Sequence, residues 1–184
     1  MEEVETSKLV CISKETLDAV AQVICPERNK FYIENAEVVV GEDKYPLLRA
    51  RLNIGSPGHY RPVQGLTHAT DSLAAVGQLG YAFFAQAGLS HLMPDQIPHV
   101  GLDQIVETFS NANGKWAYLK RVEADYKHLP NRCNGKMRIE SIHRAPEGYF
   151  FDTIVNLAKV EDEESLEISG PSQHSYEARF SVNF

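Results

Sequence analysis

Gly55-Ser-Pro-Gly-His-Tyr-Arg-Pro-Val-Gln-Gly-Leu-Thr-His-Ala-Thr-Asp-Ser-Leu-Ala-Ala-Val-Gly-Gln-Leu-Gly-Tyr-Ala-Phe-Phe84 is the stretch that decides the fold. A turn rich in Gly and Pro carries His59 and Tyr60 and runs straight into a predicted helix over about 66–87. Thr67, His68, Thr70, Asp71 and Ser72 crowd the first two turns of that helix, and almost nothing polar follows. A helix this apolar is buried over most of its circumference. Polar groups confined to one buried end need partners or a job. Chemistry is therefore expected at the N-terminal end of this helix.

Outward from it, the pattern is mostly extended. A short helix is predicted over about 14–24, with Ser13 as N-cap and Pro26 past its end. Phe31 to Val40 reads as a strand closed by the Gly41-Glu42-Asp43 turn. Leu48, Ala50, Leu52 and Ile54 then alternate with Arg49, Arg51 and Asn53, a half-buried strand that completes a hairpin. Beyond the long helix and a Pro- and His-containing connection come four more strands, around Val122–Tyr126, Lys136–Glu140, Tyr149–Val160 and Tyr176–Phe184. Glu161 to Ser172 reads as a mobile acidic loop.

Runs of strands without alternating helices imply an antiparallel sheet with the helix on one face, an α+β class. A helix apolar nearly all round asks the sheet to curl about it, with Ala74, Ala75, Gly77 and Gly80 admitting close backbone approach. That is the pattern of the hotdog fold: a curled antiparallel β-sheet wrapped around a long central helix. One such domain is expected over 1–184, built into a homodimer or an assembly of dimers.

Composition narrows the function. The chain of 184 residues is 43% apolar and 23% charged, ordinary for a globular domain. No apolar run reaches the length that spans a bilayer, and the acidic opening Met-Glu-Glu-Val-Glu-Thr is unlike a secretory or transit signal, so a cytoplasmic protein without a membrane partner is expected. Three cysteines, without a CxxC spacing, read as free thiols. The net charge of −7 argues against nucleic acid. Lys115 to Arg144 nevertheless holds eight basic residues against three acidic ones, which leaves the remainder near −12. Either these are solvated strand faces, or they form a docking surface for a coenzyme phosphate or an acidic carrier protein.

Tyr60 through Tyr81, above all Gln78-Leu79-x-Tyr81-Ala82, resembles the corresponding helix of the FcoT-type acyl thioesterases. Arg121-x-x-x-Asp125-Tyr126-Lys127-His128-Leu129-Pro130-Asn131 resembles a basic, aromatic strand end of the same family. The resemblance implies a hotdog enzyme that cleaves fatty acyl thioesters, of coenzyme A or an acyl carrier protein; with no metal-ligand spacing, P-loop or dinucleotide fingerprint in the chain, neither a metal nor a cofactor is expected. It places a family tyrosine on Tyr60 and a first-turn polar residue on His68. A second family tyrosine, following a proline, falls near Glu27 and is not retained. His59-Tyr60-Arg61-Pro62-x-x-Gly65 also resembles the loop of hotdog hydroxyacyl dehydratases, which would give His59 and Asp71 the acid–base roles.

A thioester needs only an oriented water, a proton acceptor and a stabilised oxyanion. The first turn of a buried helix supplies free N–H groups and a partial positive charge. His68 and Asp71, three residues apart, share a helical face. His68 is therefore the expected base or water-positioning group, Asp71 its orienting partner or itself the base, and Tyr60 a donor to the carbonyl. Glu27, His59, Thr67, Ser72, Trp116 and Tyr118 are the expected substrate contacts. Plain structural roles stand beside these: a dipole partner for Asp71, an interface histidine for His68, a core-capping phenol for Tyr60, surface positions for Glu27 and His59, and core packing for Trp116 and Tyr118. The alternatives to hydrolysis are a 3-hydroxyacyl-carrier dehydratase or hydratase and a non-catalytic acyl-binding module.

Overall fold

The computed structural model describes residues 8–25, 31–54, 69–89, 102–103, 106, 117–124, 129–146 and 148–183; within these, the side chains of 69–70, 87–89, 117–119, 122, 124 and 183 are left aside. The elements in chain order are β1 Lys8–Cys11, α1 Lys14–Ile24, β2 Ile33–Val40, β3 Leu47–Asn53, α2 Ala69–Leu89, β4 Ala117–Ala124, β5 Arg132–Ala145, β6 Gly148–Lys159 and β7 His174–Asn183. All seven strands join one antiparallel sheet in the order β1-β2-β3-β5-β6-β7-β4. With α1 and α2 beside that sheet, the described residues form the α+β class expected.

Local chemistry accounts for the small elements. Ser13 caps α1, its Oγ accepting the Thr16 N–H at 3.1 Å. Gly41, at φ 100°, lets the chain leave β2 through a conformation that side chains resist. The four-residue β1, which pairs along the edge of β2, was not anticipated; Lys-Leu-Val-Cys is too short to show an alternation. The long helix begins in the described residues at Ala69 and ends at Leu89, two residues beyond the expected end; residues 66–68 lie outside the described set.

One sheet face and α2 form the core. Leu48, Ala50 and Leu52 of β3, Cys133 and Met137 of β5, Phe151, Val155 and Leu157 of β6, and Tyr176, Ala178, Phe180 and Val182 of β7 are all buried there. α2 packs against β2, β3, β5, β7 and α1. Residues 78–86 of the helix are buried without interruption, so apolar side chains point in every direction. Gly80 decides how closely the helix approaches, because a β-carbon built there would overlap the Phe180 ring. A mid-helix glycine costs about 1 kcal/mol of propensity relative to alanine, and seating that ring outweighs the cost. Gly77 and Ala74 do not share this role: among the described residues nothing outside the helix's own backbone lies within 4 Å of a β-carbon at Gly77, and Ala74 is exposed.

The opposite face corrects the expectation of a half-buried β3. Arg51 is 2% exposed, and Arg49 is buried as well. Residues of the 161–172 loop lie over them. Arg51 donates to the carbonyls of Asp162 at 3.1 Å and Ser165 at 2.8 Å, to Glu163 Oε2 at 2.9 Å and to Asn134 Oδ1 at 2.6 Å. Asn134 in turn donates to the carbonyls of Ser165 and Glu167. A guanidinium with five donors can meet so many carbonyls at once. The hydrophobic period placed these arginines on the polar face correctly; burial there came from a segment more than a hundred positions away in the chain.

Candidate functional site

Asp71 and Ser72 stand side by side in the first turn of α2, and successive helical residues point about 100° apart. The two side chains consequently reach different strands. Asp71 Oδ1 accepts the Tyr32 hydroxyl at 2.8 Å, at the start of β2. Gln78, seven residues on and on the same helical face, accepts the Tyr32 backbone N–H through Oε1 at 2.7 Å. Tyr32 is thereby held at both its backbone and its phenol. Burial, and then the carboxylate of Asp71, hold its hydroxyl well above the ordinary tyrosine range, so it remains a proton donor.

Ser72 points the other way, into the core. Its Oγ accepts the Tyr176 hydroxyl at 2.7 Å, and the Tyr176 oxygen lies 2.9 Å from His174 Nδ1. Ser72, Tyr176 and His174 are all 0% exposed. His174 and Tyr176 are two apart on β7, which puts both on the helix-facing side of the sheet. The first turn of α2 is thus bracketed by polar contacts to β2 on one side and β7 on the other.

Of the residues singled out in the sequence, Asp71 and Ser72 are brought to this turn. Tyr60, His68, His59, Thr67, Glu27 and Trp116 lie outside the described residues, and Tyr118 lies in β4, where only its backbone is described, paired with Arg179. Tyr32, His174, Tyr176 and Gln78 were missed. Tyr32 lies five residues after Glu27, and its phenol meets Asp71. Its signal was a tyrosine after Pro26 with a loose spacing. His174 and Tyr176 read simply as alternating strand residues, and Gln78 as an interruption of an apolar helix.

A second polar cluster lies on the far face of the sheet. Asp152 Oδ1 and Oδ2 each accept from Arg179 at 2.7 Å, Lys120 Nζ is 2.7 Å from Oδ1, and His143 and Ser141 meet Oδ2 at 3.1 and 3.2 Å. The Arg179 guanidinium, chiefly, holds this carboxyl well below the usual range. Within the basic segment, Lys120 and three arginines among the described residues form such pairs. Arg132 meets Glu34 and Glu163, Arg138 meets Glu140, and Arg121 meets Glu123. Cys11 is exposed, Cys25 half-buried and Cys133 buried, all three as free thiols; burial pushes Cys133 up to about 12. Among the described residues no group of three or more His, Cys, Asp or Glu could hold a metal ion, and no helix is long and apolar enough to cross a membrane.

No family model and no curated protein matches the chain. Among solved structures, a mutant thioesterase from Pseudomonas aeruginosa is similar at 15% identity and a TM-score of 0.42, covering 94% of this chain and 95% of that one. A protein from Bacillus halodurans solved with CoA is similar at 13% identity and a TM-score of 0.36, covering 93% of each chain. At such identities and TM-scores the likeness carries no assignment of activity.

Proposed function

We propose that this chain hydrolyses an acyl thioester of coenzyme A or an acyl carrier protein, on a hotdog fold of the FcoT type with α2 as its central helix. The observation that carries the reading is the carboxylate of Asp71, fixed by a buried phenol in the opening turn of a largely apolar helix. A carboxylate of purely structural use is more simply left in water, where it needs no such holder. The sequence resemblance of the Tyr60–Tyr81 stretch points to the same turn.

In this reading the acyl carbonyl sits against the N-terminal N–H groups of α2, where the helix dipole and the free donors stabilise a developing oxyanion. Tyr60 donates to that oxygen. His68, oriented by Asp71, takes a proton from water as its oxygen bonds to the carbonyl carbon. The C–S bond then breaks, and the thiolate leaves with a proton returned by the same base. Tyr32 keeps Asp71 aimed through its hydroxyl. Glu27, His59, Thr67, Ser72, Trp116 and Tyr118 contact the substrate, and the working unit is a homodimer or an assembly of dimers.

Thiol release from a panel of acyl-CoAs and acyl carrier proteins, with mass spectrometry of the acyl product, tests this. Free thiol with free acid is expected, and Tyr60→Phe, His68→Ala and Asp71→Asn are each expected to lower turnover without unfolding the chain. Gain or loss of a water on an enoyl or hydroxyacyl substrate, with no thiol released, would make the protein a dehydratase working through His59 and Asp71. A melting temperature raised by acyl-CoA without turnover would make it an acyl-binding module.

A further inference from the structure

Gln78 stands in the middle of α2, 4% exposed, in a run from Leu73 to Ala85 that is otherwise largely apolar. A buried amide at such a position costs free energy unless it is hydrogen-bonded, and its Oε1 accepts the Tyr32 backbone N–H at 2.7 Å. Tyr32 stands one residue ahead of β2. Its carbonyl still belongs to the sheet, accepting the Asn53 N–H at 2.8 Å, whereas its own N–H is given to the helix. Its phenol then returns to the same helix and donates to Asp71 Oδ1 at 2.8 Å. Asp71 and Gln78 are seven residues apart, so they share a face and lie about 10 Å apart along the axis. Tyr32 accordingly lies along α2, with its backbone at Gln78 and its hydroxyl at Asp71.

We infer that Gln78 is a positioning residue for the hydrolysis proposed above: it fixes the Tyr32 backbone against α2 and, through it, the place where the phenol meets Asp71. A phenol joined to a carboxylate by one hydrogen bond alone can follow movements of its own backbone. With that backbone anchored two turns away on the same helix, the two ends of Tyr32 and the carboxylate keep one geometry. Catalysis is sensitive to such geometry, because a displacement of about 1 Å in a reacting group lowers the rate strongly. The catalytic role of Gln78 rests on the thioester-hydrolase reading, whereas the double attachment of Tyr32 does not.

The test has one arm for each. Amide hydrogen exchange of the wild-type protein is expected to show the Tyr32 N–H protected like those of the β2–β3 ladder. In Gln78→Met, which keeps the length of the side chain and removes the acceptor, that amide is expected to exchange about tenfold faster while Val38 does not change. In thioester hydrolysis, Gln78→Met and Tyr32→Phe are each expected to lower kcat roughly tenfold with KM unchanged. The double variant is expected to be no slower than the slower single one. Effects that add would mean that Gln78 does not act through Tyr32, and would overturn the inference. A folded Gln78→Met with wild-type kcat would overturn it as well. A wild-type Tyr32 amide that exchanges like an unprotected one would do the same, even if Gln78→Met failed to fold. A wild type with the protected amide that cleaves no thioester would sink the hydrolase reading, and the positioning role with it, and leave the double attachment of Tyr32 supported.

Discussion

The two faces of the sheet handle buried polarity in different ways. On the outer face the polar groups are charges, met by opposite charges or by many carbonyls: Arg51 under the 161–172 loop, and Asp152 among Arg179, Lys120 and His143. On the helix face Tyr176, Ser72 and His174 are fully buried and hydrogen-bonded to one another, and Asp71 is tied to the Tyr32 phenol. Saturated ion pairs hold segments in place. A carboxylate held by a single phenol is left with acceptor positions for a further neighbour, as a reactive site requires.

Four substitutions would break or sharpen that contrast. The largest effect is expected on the apolar side, from Gly80→Ala. Its β-carbon meets the Phe180 ring, so unfolding in urea should show a loss of about 3 kcal/mol or more. A loss below 1 kcal/mol would mean that the helix can move away from β7. Arg51→Met should cost about 2–3 kcal/mol, because it removes the donor from two loop carbonyls and from Asn134. It should also expose 161–172 to limited proteolysis; an unchanged digest would show that the loop is held by other contacts.

Asp152→Asn should follow, at about 2 kcal/mol near neutral pH. A carboxyl whose folded pKa is depressed contributes stability above its unfolded value, near 4. That contribution is lost as pH falls through the lower folded value. The gap between wild type and Asp152→Asn should therefore shrink in urea unfolding as pH drops from neutral to about 3, and a gap independent of pH would contradict the ion pair. The smallest effect is expected from Tyr32→Phe, about 1 kcal/mol for one hydrogen bond. Because Asp71 is half-buried and open to water, its loss of a partner should register in turnover more than in melting temperature.

Much of the frame was legible in the sequence. The alternation of β3 and β7, the turn at Gly41, the cap at Ser13 and the polar opening of α2 are local patterns, and local patterns follow from periodicity and turn chemistry. The site was legible only where it sits on one helix: Asp71 and Ser72 stood out because they are polar in an apolar run. Tyr32 and Tyr176 did not, since a tyrosine at a strand end or on an inward strand position looks like ordinary core. Arg51 read as the polar side of a half-buried strand because what covers it, around Asp162 and Ser165, lies more than a hundred positions on.

What the sequence by itself determined is the set of elements and which face of each is apolar, because the 2.0- and 3.6-residue periods are written along the chain. Only the tertiary structure decided the partners. Tyr32 meets Asp71 across 39 positions, Tyr176 meets Ser72 across 104, and Arg51 meets Ser165 across 114. Such pairings follow from strand order and register, with β4 sent to the far edge beside β7 and β3 left beside β5. The physical reason is that hydrophobic burial is non-directional and selects faces, whereas a hydrogen bond demands a donor and an acceptor within about 3 Å. That distance between residues remote in sequence exists only once the sheet has closed its register.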